Sequence, residues 1–86
     1  MSDLYTKELD LHTMSLAEAR KYLKTELNAL PKHINEVRII HGYRNGKELQ
    51  KFVRNEFNHK KIQRKVLELN QGMTTYIINT VHKNTK

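Results

Sequence analysis

Between residues 5 and 12, apolar and polar positions alternate: Leu9 and Leu11 are set among Glu8, Asp10 and His12. A period of two predicts a short strand with one apolar and one polar face. The period then changes. Ser15 followed three residues later by Glu18 is a capping-box pattern. Leu16, Ala19, Leu23, Leu27 and Leu30 form one helical stripe, so a helix is expected from Ser15 to about Leu30, bounded by Pro31. Residues 36–41, EVRIIH, read as a second strand closed by Gly42. A second helix follows the loop 43–46 and runs to about Asn58, with Leu49, Phe52, Val53 and Phe57 on its core face. Asn45 and Glu48 have the spacing of another capping pair. A basic stretch over 59–65 precedes a third strand marked by Val66, Leu67 and Leu69. Asn70, Gln71 and Gly72 supply a hairpin-length turn into a fourth strand over 73–78.

The predicted order is therefore βαβαββ, an α/β fold. Two strand–helix–strand units call for parallel neighbours joined by right-handed crossovers, and the closing hairpin adds an antiparallel pair. With two helices, the mixed four-stranded sheet is expected to be covered on one face and open on the other, as a two-layer sandwich. The whole chain, 1–86, reads as a single domain with its core over about 5–79 and a polar tail over 80–86. Tyr22 and Tyr76 are expected in the core or at its margin.

Composition narrows the function. Eighty-six residues provide for one core, not two. A chain of this size buries somewhat less than two-thirds of its unfolded surface. A large sealed active-site cavity is not expected. The net charge of +7 and pI near 9.8 favour a polyanionic partner, nucleic acid before membrane. Six of the cations and a single acid fall in residues 57–86, so much of the excess is C-terminal. The chain has no cysteine, which excludes disulfide scaffolds, thiolate metal sites and cysteine nucleophiles. No apolar run approaches membrane-spanning length, and the N-terminus lacks a signal-peptide core. A cytoplasmic location is expected, without membrane association.

The chemistry gathers where strands end. In such a sheet the carboxyl ends of parallel strands share one edge, and helix starts carry free N–H groups there. Asp10 and His12 lie two apart on a strand, so their side chains leave the same face; a carboxylate beside an imidazole favours its protonated form. The pair suits proton transfer or phosphate contact, or simply a solvated cap for the next helix. His41 reaches the same edge from the second strand, as a functional group or a structural one. Gly42 serves a backbone turn. Tyr43 is placed to stack on a base, and Arg44 and Lys47 to meet phosphate. Lys60, Lys61, Arg64 and Lys65 offer a nucleic-acid grip. Asp10, His12 and His41 would make an O,N,N set suited to Zn²⁺ or Mn²⁺, and an accessory divalent cation (Mg²⁺ or Mn²⁺) is compatible with the chain, but a two-metal nuclease needs a richer carboxylate cluster. No cofactor is expected to be required.

The sequence LDLH over 9–12, then a helix, then VRIIHG over 37–42, resembles the small MutS-related (Smr) domain family. The resemblance runs from about Leu9 to Ile78. It implies a fold like the C-terminal domain of translation initiation factor three, nucleic-acid binding and, in many members, endonuclease activity on branched DNA or on messenger RNA at ribosomes. Thr13 stands where the family has glycine after LDLH, and Arg44 replaces the second glycine of its HGxG loop. Gly46 is left to serve the helix start. The family's late glycine-rich turn is reduced to residues 70–74. On this reading the chain is an RNA endonuclease using Asp10, His12 and His41 for acid–base chemistry. RNA, and with it the ribosome, is favoured over DNA. The alternatives are a nickase of branched DNA and a non-catalytic module that binds RNA, DNA or the ribosome.

Overall fold

The structure, a computed structural model, describes residues 5–43 and 47–79. The first strand, β1, is Thr6–Asp10, and Leu11 extends its pairing through an N–H bond to the Ile40 carbonyl. Helix α1 spans Leu16–Asn28. Its predicted capping box is formed: Glu18 N–H donates to Ser15 Oγ at 3.1 Å, and Ser15 N–H donates to the Glu18 carboxylate at 2.9 Å. Ala19, Leu23 and Leu27 are its buried stripe, continued by Leu30 just past the helix, whereas Leu16, expected in the same stripe, is exposed in the first turn. Strand β2 is Glu36–Ile40, and β4 is Met73–Ile78.

Three expectations are corrected. The third strand, β3, is Ile62–Leu67, so most of the basic stretch is sheet, and Leu69 is fully exposed beyond it. A register irregularity between Ile62 and Arg64 breaks the alternation that would have revealed this strand. The second helix begins at Glu48 with Lys47 as its N-cap, without a side-chain hydrogen bond, and Asn45, the expected capping partner of Glu48, lies outside the described residues. After one α turn, α2 over Glu48–Lys51, it widens into a π segment over Phe52–Glu56 and stops there. The wider turn has a packing reason. Phe57 N–H donates to Phe52 C=O at 2.7 Å, and the two rings meet at a centroid distance of 5.7 Å. An α-helix would set these residues on divergent faces.

Strand order is the third correction. It runs β1-β2-β4-β3, with β1 and β2 parallel and the other pairs antiparallel. The closing hairpin inserts β4 between β2 and β3, so the second strand–helix–strand unit does not produce adjacent parallel strands. One face of this mixed sheet carries Leu9, Val37, Ile39, Tyr76 and Ile78, which form one core with the two helical segments. Burying these apolar side chains is the main stabilising contribution, at about 1.5–3 kcal/mol for each large one. Tyr76 is wholly buried and donates its hydroxyl to Val53 C=O at 2.8 Å; burial pushes its pKa far up. Tyr22 is half-buried against the core, as expected. No helix among the described residues is long and apolar enough to cross a membrane.

A candidate active site at the strand ends

Pairing in register puts Asp10 beside Ile40 and Ile40 beside Met73, so the ends of β1 and β2 meet the start of β4. The backbone that continues from them encloses an open cleft of about 790 Å³, whose walls include Asp10, His12, Met14, His41, Gly42, Tyr43, Leu49 and Gly72. That volume lies within the usual range for a small-ligand site.

Asp10 and His12 form the tightest polar pair there. Asp10 Oδ1 accepts the His12 backbone N–H at 3.0 Å and lies 2.5 Å from Nδ1 of the ring. These two bonds hold the Asp10 carboxyl below its ordinary pKa, so it is a carboxylate at neutral pH. A carboxylate can only accept, so Nδ1 carries the proton and Nε2 is the nitrogen left for other work. Both side chains are about half exposed, which keeps that nitrogen accessible from solvent.

His41 is placed differently. It faces the core side of the sheet, is 2% exposed, and has both ring nitrogens bonded: Nδ1 to Gly42 O at 2.8 Å and Nε2 to Thr74 Oγ1 at 2.9 Å. Burial, offset in part by the Gly42 carbonyl and reinforced by Arg54, pushes its pKa down, so the ring is neutral. Among the described residues no three His, Asp or Glu side chains gather as a metal ligand set. Asp10 and His12 leave one side of the strand ends and His41 the other.

Two glycines close the base of the cleft. Gly42 has φ +72°, a left-handed conformation suited to glycine, and a Cβ there would lie 3.4 Å from His12 Cβ. A Cβ on Gly72 would come 3.3 Å from Gly42 Cα. His12, Gly42 and Gly72 are therefore stacked at near-contact, with His41 N–H and Gly42 N–H both donating to Gly72 O, at 2.9 and 3.0 Å. Gly72 and Thr74 were not among the residues expected at the site. The signal for Thr74 was present: alternation along 73–78 puts a hydroxyl on the buried face with Tyr76 and Ile78, where it needs a partner.

The predicted phosphate contacts are scattered. Tyr43 is exposed at the cleft, and Lys47, Lys51 and Arg54 line a shallow groove that shares Glu48 with it. Arg44 and Gly46 lie outside the described residues. Lys61 and Lys65 are engaged within the fold. Lys61 Nζ donates to Leu27 O and Asn28 O at the end of α1 (2.7 and 3.2 Å), and Lys65 Nζ to Phe57 O at 2.5 Å. Lys60 is exposed next to Lys61, whose carbonyl accepts from Asn79; this is the opposite end of the sheet from the cleft. Arg64 is exposed on the open face, opposite Ile77. Among the described residues that face is not a basic surface: Glu8, Asp10, Glu36 and the Glu68 carboxylate bound to Thr75 outnumber Arg38 and Arg64.

These features define a two-layer α/β domain whose polar chemistry lies in an open cleft at its strand ends. The model of the Smr domain family matches residues 9–75, and the chain belongs to that family, whose domains bind or cut nucleic acids. Among solved structures it is similar to the Smr domain of Thermus thermophilus MutS2, with a TM-score of 0.71 and 22% identity over 85% of this chain and 98% of that one. At that identity the likeness shows a shared fold. No curated protein matched the chain significantly.

Proposed function

We propose that this Smr domain is an endonuclease that cleaves RNA with His12 as its acid–base group. The observation that carries the reading is the Asp10–His12 contact at the mouth of the cleft. Asp10 fixes the tautomer and orientation of the ring, a division of labour used in many His–carboxylate sites. His12 Nε2 takes the proton of a ribose 2′-OH, and the 2′ oxygen forms a bond to phosphorus. The P–O5′ bond breaks and the 5′ oxygen leaves with a proton drawn from water, giving a 2′,3′-cyclic phosphate and a 5′-hydroxyl. His41, with both nitrogens bonded inside the fold, is assigned to holding the loop instead of moving protons. Lys47 and Lys51 would carry the flanking phosphates along the groove beside the cleft. The ribosome is the structured RNA that the family resemblance favours as a partner.

The test is cleavage of a short RNA in chelator, compared with the same strand carrying one deoxyribose at the cut. Wild type is expected to cut the ribose strand and spare the deoxy strand, and His12→Ala to lose at least a hundredfold in rate while binding within a few-fold. Cleavage of the deoxy strand or of branched DNA would replace this mechanism with DNA nicking. Tight binding without any turnover would assign the domain to recognition alone.

A further inference from the structure

A chain of buried and part-buried hydrogen bonds runs beneath the cleft, and its directions are fixed by chemistry. Arg54 can only donate, so its Nε–H donates to Thr74 Oγ1, at 2.8 Å. Thr74 is fully buried, and its own hydroxyl proton is then directed to its other neighbour, His41 Nε2. With Nε2 accepting, the proton of the neutral ring sits on Nδ1 and is donated to Gly42 O. Arg54 is anchored by a second bond, from Nη2 to Met73 O at 2.8 Å.

This chain has a consequence for the peptide between Gly42 and Tyr43. The bond is trans, so its C=O and N–H point in opposite directions. Because His41 draws the carbonyl toward the core, the Tyr43 N–H is turned outward. Gly42 and Tyr43 both line the cleft with His12, and this N–H has no partner among the described residues. We infer that Arg54, Thr74 and His41 are positioning residues that aim the Tyr43 N–H into the cleft as a donor to a non-bridging oxygen of a bound phosphodiester. The inference rests on the proposed RNA chemistry for its role in turnover, but the anion site itself does not require cleavage. A preorganised N–H acts on charge developing at phosphorus without having to reorganise, and the loss of one such donor in other enzymes costs about 10²–10³-fold in rate.

The experiment compares wild type, Thr74→Val, which keeps the shape and removes the hydroxyl, and Thr74→Ser, which restores it. Nitrogen-15 NMR at pH 7.5 should show the His41 proton on Nδ1 in wild type and T74S, and a mixture of tautomers in T74V. Titration with dimethyl phosphate should shift the Tyr43 amide in wild type and not in T74V. With RNA carrying a single Rp or Sp phosphorothioate at the cut, wild type should discriminate between the isomers at least tenfold. T74V should lose kcat by about 10²-fold with KM within twofold, and lose that discrimination. If T74V does not fold, Arg54→Met, which alters a partly exposed side chain, is expected to give the same pattern. A wild-type proton on Nε2, an unmoved Tyr43 amide, or a T74V or R54M enzyme with full rate and discrimination would overturn the inference. Should wild type cut no RNA while its Tyr43 amide still responds to the diester, the cleavage reading fails and the anion site stands.

Discussion

His59 lies away from the cleft and is only half-buried, yet like His41 it has both ring nitrogens bonded within the fold. Its Nδ1 accepts the Lys61 N–H at 3.1 Å, and Nε2 faces Asn28 Oδ1 at 2.8 Å. With Nδ1 accepting, the proton of the neutral ring is on Nε2. Burial, with Lys61, Lys60 and Lys24 nearby, pushes its pKa down. His59 and His41 therefore both titrate lower in the folded chain than the 6.5 of an unfolded one. The unfolded state binds more protons in that window, so their contribution is complete above about pH 6.5 and is lost as pH falls below it. Asp10, also shifted down, keeps its contribution until pH falls into the range of an ordinary carboxylate and below. Urea midpoints are expected to fall from pH 7.5 to 5.5, and to fall less in His59→Gln. A flat or rising profile would contradict this account. At this scale the sequence named Asp10, His12 and Gly42 correctly as neighbours. It left the direction of His41 open, because a residue just past a strand end can face either layer.

At the scale of elements, the apolar periods located both long segments that bury a stripe, while capping and register depended on partners remote in sequence. Helix α1 has no basic residue in its last turn, and Lys61, from beyond the second helix, supplies the missing cation. Its bonds to Leu27 O and Asn28 O satisfy end carbonyls and oppose the negative end of the helix dipole. Lys61→Ala is thus expected to cost about 1 kcal/mol in chemical denaturation, whereas Lys60→Ala, one residue earlier and exposed, should fall within about 0.5 kcal/mol of wild type. Equal effects would show that Lys61 is an ordinary surface cation. The π segment follows the same logic: Phe52, Val53 and Phe57 all reach the core through a widened turn that a 3.6-residue period does not anticipate.

Over the whole molecule, charge and chemistry are arranged separately. The open sheet face carries more acids than cations among the described residues, Lys61 and Lys65 are spent inside the fold, and Lys60 is about one strand length from the cleft end. The cations beside the cleft are Lys47 and Lys51; Arg54 lines the same groove but is bonded inward to Thr74 and Met73. Nucleic-acid affinity should fall with salt, by about 0.7 in log affinity per log unit of salt for each phosphate neutralised on a single strand. The double variant Lys47→Ala/Lys51→Ala is expected to lower that slope by about 1–1.5, and Lys60→Ala to leave it nearly unchanged. Fluorescence titrations of labelled RNA across a salt series would read both, and a reversed ranking would place the binding track along the opposite end.

The sequence by itself determined the element types, the one-sided core and the Asp10–His12 pair, because each is written in local spacing: periods of 2 and 3.6, a capping box, two residues on one side of a strand. The tertiary structure alone decided the insertion of β4 between β2 and β3, the inward turn of His41 onto Thr74 and Arg54, and the conversion of Lys61 and Lys65 from apparent phosphate ligands into caps. Those outcomes depend on which carbonyls and hydroxyls come within hydrogen-bonding reach once distant segments pack. A lysine left in solvent and a lysine beneath a helix end are the same letter until that packing assigns their partners.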